Sequence, residues 1–275
     1  MSIRRAAVLG SPIVHSRSPV LHRAAYAALG LPWSYDAIEM TPEGLRGFLA
    51  GCRWPDWAGL SLTMPLKSDV MPLVEEASEE ALLVRAANTV VFTERGRVGY
   101  NTDIAGMQRA LEEAHGTGLS LRRGAIVGSG ATARSAMAAL ARMGARDVDI
   151  IARNPDRAVP LIELGRELGV RGAVLPWHDS TPISADAVVA TVPPGAGDAL
   201  VHRVPEAPGV LLDVAYGDGA TALAESWARR GGAVADGLDL LLWQAVDQVR
   251  LMTGCEAPVA AMRAALRGDP GPAGA

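Results

Sequence analysis

Residues Gly124 to Ala133 read GAIVGSGATA. The first four, Gly124-Ala-Ile-Val127, are a short apolar run of the kind buried in a parallel sheet. The next six, Gly128-Ser129-Gly130-Ala131-Thr132-Ala133, form a G-x-G-x-x-A string. Helical spacing then runs from Ala131 to Met143. Set between a buried strand and a long helix, such a string reads as a dinucleotide-binding turn rather than an ordinary strand-to-helix connection. Gly128 permits the tight turn, Gly130 lets the backbone approach a pyrophosphate, and Ala133 is small enough for close helix–strand packing. The helix start offers unpaired N–H groups to the anion.

Downstream, the pattern predicts a strand over Asp147–Ala152 and a helix over Arg157–Leu168. Strands at Ala187–Ala190 and Val210–Val214, a helix at Thr221–Arg230 and a strand at Ala233–Ala235 follow. A helix at Ile104–Ala114 precedes the set, joined by the Gly-rich stretch His115–Gly118. Strands alternating with helices mean a parallel, doubly wound, Rossmann-type sheet. The second strand ends in Ala152-Arg153-Asn154-Pro155-Asp156-Arg157. An NAD site would place a carboxylate there for the ribose 2′-OH. Here Arg153 and Arg157 stand instead, and two guanidinium groups suit a 2′-phosphate. The cofactor expected is NADP, the alternative being two surface arginines.

Upstream, the spacing predicts a first strand at Ile3–Leu9 and a helix at Pro19–Leu29 stopping at Gly30. Next come a strand at Trp33–Met40, a helix at Pro42–Ala50, a strand at Leu60–Thr63 and a helix at Asp69–Leu83. A hairpin follows, Asn88–Thr93 with Arg97–Tyr100, turning at Glu94-Arg95-Gly96. Helices at Leu238–Met252 and Val259–Leu266 end the ordered chain. The division expected is an α/β substrate-binding catalytic domain (1–103), a dinucleotide-binding domain (104–237), C-terminal helices (238–267) and a disordered Gly/Pro/Ala-rich tail (268–275).

Composition excludes several classes of function. The 275 residues carry a net charge of −4, and no basic run exceeds Arg-Arg, so no nucleic-acid partner is expected. No stretch reaches the ~20 apolar residues of a membrane span. The apolar stretch near the N-terminus is broken by Pro12, His15 and Arg17 too early for a signal peptide. Cys52 and Cys255 lack metal-ligand spacing, so no metal is expected, and two buried thiols fit a reducing, cytoplasmic location. Of 26 basic residues, 25 are arginine, and Lys67 is the only lysine. Asparagine occurs only at Asn88, Asn101 and Asn154. Coding bias explains the scarcity but not the places of the exceptions.

Three polar constellations lie outside the dinucleotide-binding domain. In Gly10-Ser-Pro-Ile-Val-His15-Ser16-Arg-Ser18-Pro19, two hydroxyls two residues apart can both donate to a carboxylate. Ser18 also reads as a helix cap with Pro19 at the first helical position. In Ser61-Leu-Thr63-Met-Pro65-Leu-Lys67, polar residues at alternate strand positions share one face, and Pro65 ends the strand. Asn88-Thr89 and Gly99-Tyr-Asn101-Thr102-Asp103 flank the hairpin, where each asparagine alternatively serves a turn. His15 orders its turn or acts as an acid; His115, His178 and His202 fall in loop contexts, where solvation is expected.

In this order, H-S-x-S-P, T-x-P-x-K, N-T, N-T-D and a Gly-rich loop, the chain resembles the shikimate dehydrogenases. The likeness continues in Ala190-Thr191, Asp213-Val-Ala-Tyr216, Asp236-Gly237-Leu238 and Gln244-Ala245, spanning residues 10 to 254. It implies a substrate domain followed by an NADP domain, with the C-terminal helices returning to the first and the active site in the cleft between them. It implies NADPH-dependent reduction of 3-dehydroshikimate to shikimate. Ser16 and Ser18 would hold the substrate carboxylate, with Tyr216 helping. Thr63, Asn88, Asp103 and Gln244 would bind ring hydroxyls, and Lys67 with Asp103 would form the catalytic pair. Thr191, Val192, Val214 and Gly237 would join Gly128–Ala133, Arg153, Asn154 and Arg157 at the cofactor.

The chain departs from the commoner family pattern at Ser61, where asparagine is usual, at Ala152, at Val192-Pro193-Pro194 and at Asp239. Quinate-using relatives often carry threonine at the second hydroxyl position, and NAD-using members carry an acid where Arg153 stands. Ser18 and Arg153 therefore favour a shikimate enzyme working with NADP over a broad-specificity quinate/shikimate dehydrogenase. A non-catalytic NADP-binding sensor is the third reading, opposed by the joint presence of Lys67 and Asp103. The expected partner is a small-molecule substrate, and the expected assembly a monomer or homodimer.

Overall fold

The computed structural model describes residues 3–217 and 219–268. Two compact units divide it. The first holds residues up to Thr102 and those from Leu241 onward; the second runs from Asp103 to Leu240.

In the first unit the elements are β1 (Arg5–Gly10), α1 (Ser18–Ala28), β2 (Ser34–Glu39), α2 (Pro42–Gly51) and β3 (Trp57–Leu62). Then come β4 (Glu76–Ala77), α3 (Glu79–Val84), β5 (Thr89–Thr93) and β6 (Gly96–Tyr100). The sheet order is β2-β1-β3-β5-β6-β4. β1 runs parallel to β2 and β3, while β5 is antiparallel to β3 and β6. One register matters for the site: Ser61 pairs with Thr89, and Thr89 with Tyr100. The core is built from Leu9, Leu45, Leu49, Leu60, Leu66, Val70 and Val90, each fully buried.

The second unit contains α4 (Asp103–His115), β7 (Arg123–Val127), α5 (Ala131–Arg142), β8 (Asp147–Ala152), α6 (Val159–Glu167) and β9 (Arg171–Pro176). It continues with β10 (Ala187–Ala190), β11 (Val210–Asp213), α7 (Ala222–Arg229) and β12 (Ala233–Ala235). Its sheet is parallel throughout, in the order β12-β11-β10-β7-β8-β9. This is the expected doubly wound architecture, and its strands β10 and β11 are buried along their whole length. α8 (Gly237–Thr253) leads back to the first unit, where α9 (Val259–Gly268) packs against α1.

Several expectations are corrected. Asp69–Leu83 is not one helix: it breaks into a 3-10 turn (Met71–Leu73), β4 and α3. Pro72 has no N–H for a helical ladder. Glu75 N donates to Arg97 O (3.0 Å) and Ser78 N to Gly99 O (2.8 Å), drawing the chain to the edge of β6. Ser78 then caps α3 by accepting from Ala81 N at 3.2 Å. The helix predicted from Arg157 opens as a 3-10 turn at Pro155–Ala158. β9 and the 3-10 segment Ala196–Arg203 were not predicted. Ser18 is the first residue of α1, not its cap, and Arg17 holds the cap position. Cys52 is buried but Cys255 is exposed in the turn after α8. His115 closes α4 and His202 lies on a 3-10 turn, and both are exposed. The predicted tail, apart from Gly268, lies outside the described residues.

Candidate functional site

In the first unit, strand pairing gathers the three constellations at one end of the sheet. β1 and β3 are parallel, so the segments after Gly10 and Leu62 leave the same edge. β5 is antiparallel to β3, so Asn88 enters where Thr63 leaves, and Asn101-Thr102 leave there too. Main-chain bonds tie the segments together: Ser11 N to Met64 O (2.9 Å), Leu62 N to Asn88 O (2.8 Å), Asn88 N to Tyr100 O (3.0 Å) and Ala87 N to Lys67 O (2.8 Å). The last fixes the Lys67 backbone beside Ala87-Asn88.

The Ser16/Ser18 turn is clamped by Glu39, whose carboxylate accepts from Ser11 Oγ (2.6 Å) and Ile13 N (2.9 Å). Ser18 N reaches Ser16 Oγ at 3.4 Å. Ser18 is buried and its hydroxyl faces that of Tyr35, while Ser16 is half-buried and His15 exposed. Thr63 and Lys67 are half-buried at the end of β3.

Asn88 is 1% exposed and fully engaged. Its Oδ1 accepts from Thr102 N (2.9 Å) and Thr89 Oγ1 (2.9 Å), and its Nδ2 donates to Thr102 Oγ1 (2.9 Å). Nδ2 also faces Gln244 Oε1 at 3.4 Å, and Thr102 Oγ1 donates to Gln244 O at 2.9 Å. Gln244 Nε2 is occupied by Leu241 O at 2.8 Å. Asn101 has the structural duty open to either asparagine, donating to Ala86 O at 2.9 Å. The structure thus brings Ser16, Ser18, Thr63, Lys67, Asn88 and Gln244 into one unit. Asp103, the residue after Thr102, is buried as the first residue of α4 in the other.

Sequence reading missed three buried groups behind Asn88, His22, Tyr35 and Gln248, and gave no role to Thr89 of the N-T pair. Tyr35 Oη donates to Ser61 Oγ (2.6 Å), which donates to Gln248 Oε1 (2.7 Å). Ser61, a departure from the family pattern, is therefore satisfied internally. His22 stacks on Tyr35 with ring centroids 4.0 Å apart. Complete burial pushes its pKa down to about 3, against a smaller opposing effect of its bond to Gln248. One signal was legible: Gln244 and Gln248 stand four apart, on one face of an apolar helix.

In the second unit, Gly128 has φ +112°, a left-handed conformation that glycine adopts without strain. A Cβ there would also meet Thr191 Oγ1 at 2.5 Å, because Thr191 N and Oγ1 both bond Val127 O. Gly130 precedes α5 with no side-chain cap, and a Cβ on it would meet nothing within 4 Å. Ser129, Ala131 and Thr132 line this half-buried turn, and Ala133 is fully buried against the sheet. Open space before an uncapped helix start fits a pyrophosphate. Arg153 and Arg157 are exposed after β8, and neither meets a carboxylate among the described residues. The Arg153 guanidinium lies 5.9 Å from the Trp177 ring centroid. Asn154 turns inward on its own loop, accepting from Asp156 N at 3.0 Å. A cradle of this kind, with two available guanidinium groups, fits NADP.

At the carboxyl ends of β10 and β11 a cavity is lined by Asp198, Ala215, Tyr216 and Thr221, the usual place for ligands in such sheets. Asp213 anchors its wall: Thr221 Oγ1 donates to Asp213 Oδ2 (2.5 Å) and Ala215 N to Oδ1 (3.2 Å). Burial raises the Asp213 pKa, opposed by those two bonds. Val192 and Val214 are half-buried, and Gly237 packs on Val214 O. Among the described residues no cluster of three His, Cys, Asp or Glu could hold a metal ion, and no helix is long and apolar enough to cross a membrane.

The pattern of the "Shikimate dehydrogenase substrate binding domain" matches residues 8–90, and that of the "Shikimate 5'-dehydrogenase C-terminal domain" residues 237–267. The chain is 38% identical over 272 residues to a protein of Rubrobacter xylanophilus named "Shikimate dehydrogenase (NADP(+))", covering 95% of each. This chain belongs to the shikimate dehydrogenase family. Its fold matches the crystal structure of Mycobacterium tuberculosis shikimate dehydrogenase with TM-score 0.89 at 38% identity, covering 97% of this chain and 100% of that one. The Thermus thermophilus shikimate 5-dehydrogenase, solved in complex with NADP(H) and shikimate, matches with TM-score 0.83 at 31% identity, covering 96% and 99%. The family accounts for the order of the motifs, and the pairing register accounts for their convergence.

Proposed function

We infer that this chain is an NADP-dependent shikimate dehydrogenase, catalysing the reversible reduction of 3-dehydroshikimate to shikimate. The observation that carries the reading is the anchored group at the end of the first sheet. A paired-serine turn, an engaged asparagine and the chain's only lysine meet there, in a family member aligned nearly end to end with NADP(+)-named relatives.

Bound NADPH supplies the hydride. The protein supplies the rest. Ser16 and Ser18 donate to the substrate carboxylate, assisted by Tyr216. Thr63, Asn88, Asp103 and Gln244 hold ring hydroxyls. Lys67 meets the charge developing on the ketone oxygen and delivers a proton to it, a task open to an ammonium and closed to a guanidinium. In the reverse direction Lys67 takes the proton back. Asp103 would orient Lys67. On the cofactor side the N-terminus of α5 holds the pyrophosphate through Gly128–Ala133. Arg153 and Arg157 grip the 2′-phosphate beside Asn154, and Thr191, Val192, Val214 and Gly237 complete the site. The enzyme works in the cytoplasm on a small molecule, as a monomer or homodimer, with no nucleic-acid or membrane partner.

Purified protein mixed with shikimate and NADP should generate the absorbance of reduced cofactor, and quinate or NAD should serve poorly. NADP binding without turnover would leave a sensor, and equal use of quinate a broad-specificity enzyme.

A further inference from the structure

Gln248 is 1% exposed on α8, one turn from Gln244. Its side-chain nitrogen faces Asn88 O (3.1 Å) and Thr89 Oγ1 (2.9 Å). A carbonyl oxygen only accepts, so the amide cannot be flipped, and its two hydrogens go to these partners. The direction of every neighbouring bond follows. Gln248 Oε1 must accept, from Ser61 Oγ at 2.7 Å and from His22 Nε2 at 3.2 Å. His22 is then the Nε2–H tautomer with a bare Nδ1, and Nδ1 is indeed a buried atom without a partner. Thr89, having accepted from Gln248, gives its own proton to Asn88 Oδ1 at 2.9 Å. With Thr102 N also donating to Oδ1, both lone-pair directions of that oxygen are filled. Asn88 then turns its Nδ2 toward Thr102 Oγ1 (2.9 Å) and Gln244 Oε1 (3.4 Å), and a ligand hydroxyl reaches it by taking the place of the long contact to Gln244.

We propose that Gln248 is a positioning residue for substrate binding, acting through Thr89 and alongside Thr102 N–H to hold the Asn88 amide with its oxygen inward and its Nδ2 toward Gln244. The proposal rests on the assignment of Asn88 to a substrate hydroxyl. Beside it Gln244 Oε1 has room for a proton, its amide nitrogen being spent on Leu241 O. A hydroxyl that accepts from Asn88 and donates to Gln244 satisfies both, so the orientation set by Gln248 governs affinity rather than hydride transfer.

The test measures KM and kcat for shikimate, KM for NADP and the melting temperature in a cycle of four proteins, with a fifth, Gln248→Leu, beside it. The four are the wild type, Thr89→Val, Asn88→Ala and the double variant. Thr89→Val cuts the relay while keeping the side-chain shape, and Gln248→Leu serves as a second probe. Thr89→Val should raise KM for shikimate roughly tenfold, the scale of one buried hydrogen bond. KM for NADP should not move, and kcat should change little. In the Asn88→Ala background Thr89→Val should add almost nothing, because the group it orients is gone. Equal effects in both backgrounds, or a matching rise in KM for NADP, would overturn the proposal by making the network a general structural support. An inactive wild type would instead overturn the assignment of function, and that is seen before any variant is made.

Discussion

Lowering the pH from 7.5 to 5.0 should destabilise this protein through His22, a residue outside every sequence motif. His22 is fully buried, stacked on Tyr35 and edge-on to Tyr26, with Gln248 as its polar neighbour. None of these carries a charge, so nothing compensates an imidazolium. Burial holds the native pKa at about 3, against 6.5 for the free side chain. Between those values the unfolded chain binds a proton that the native chain refuses. Stability is therefore full above pH 6.5 and declines as pH falls toward 3. Each pH unit costs about 1.4 kcal/mol, so pH 5.0 should cost about 2 kcal/mol and the full span at most ~5 kcal/mol. Against a native stability of order 5–15 kcal/mol, that is a large fraction. Urea unfolding followed by circular dichroism at both pH values gives the loss, and His22→Phe isolates it. The variant keeps an aromatic stack on Tyr35 and cannot titrate, so it should lose about 2 kcal/mol less between the two pH values. Equal losses in both proteins would refute the argument and mean that His22 is protonated in the native state or reached by water.

Three further outcomes are expected. Arg153→Asp should shift the NADP-to-NAD preference in kcat/KM by roughly 2–4 kcal/mol, since a carboxylate repels the 2′-phosphate and accepts the ribose hydroxyl. An unchanged ratio would reduce Arg153 to a surface charge beside Trp177. Lys67→Met should bind NADPH normally and lose roughly 10²–10⁴ in kcat, with Lys67→Arg rescuing little; near wild-type turnover in the Met variant would remove Lys67 from the mechanism. Gly237→Ala should lower stability by about 1–3 kcal/mol in thermal melts, because its Cβ would sit 2.4 Å from Val214 O and 2.7 Å from Ala215 O.

The second unit was legible wherever burial makes strands continuous and apolar. The strand before the Gly-rich turn, β10 and β11 follow from that one rule, while β8 alternates Asp147 and Asp149 with buried residues and still falls at Asp147–Ala152, where the pattern put it. β9, at the sheet edge, alternates exposed with half-buried residues and carries too weak an apolar signal. The segment 69–83 failed for a different reason. Val70, Met71, Leu73, Val74 and Ala77 have helical spacing, but Pro72 breaks the ladder, and pairing with β6 outweighs local preference. Glu75 seals that edge through Arg97, donor of a main-chain bond (2.6 Å) and side-chain bonds to its carboxylate (3.0 and 2.5 Å). The bond to Arg97 holds the Glu75 pKa down at about 2. Residues chosen for chemistry could be read one at a time, whereas their supports could not. Tyr35 and Gln248 carry no motif, Thr89 stands in the N-T pair without a readable role, and all three acquire meaning only from direction and distance.

The supports also explain why the first unit needs both ends of the chain. Up to Thr102 the chain supplies the serine turn, Lys67 and Asn88, but leaves Asn88 O, Thr89 Oγ1 and Ser61 Oγ each with one partner (Leu62 N, Asn88 Oδ1 and Tyr35 Oη) and a second hydrogen-bonding direction unfilled. The groups that complete the network, the side chains of Gln244 and Gln248, arrive after an excursion of more than a hundred residues. A buried polar group left without its partner costs about 1–3 kcal/mol, more than a satisfied hydrogen bond usually contributes. Groups with one partner each lose less than that, but several second directions unfilled at once would leave the segment 1–102 less well determined around Asn88. The i, i+4 glutamines of α8 are thus both the closing piece of the polar core and the rear wall of the site. That double duty accounts for two amides standing on a helix face that packing alone would have filled with leucine.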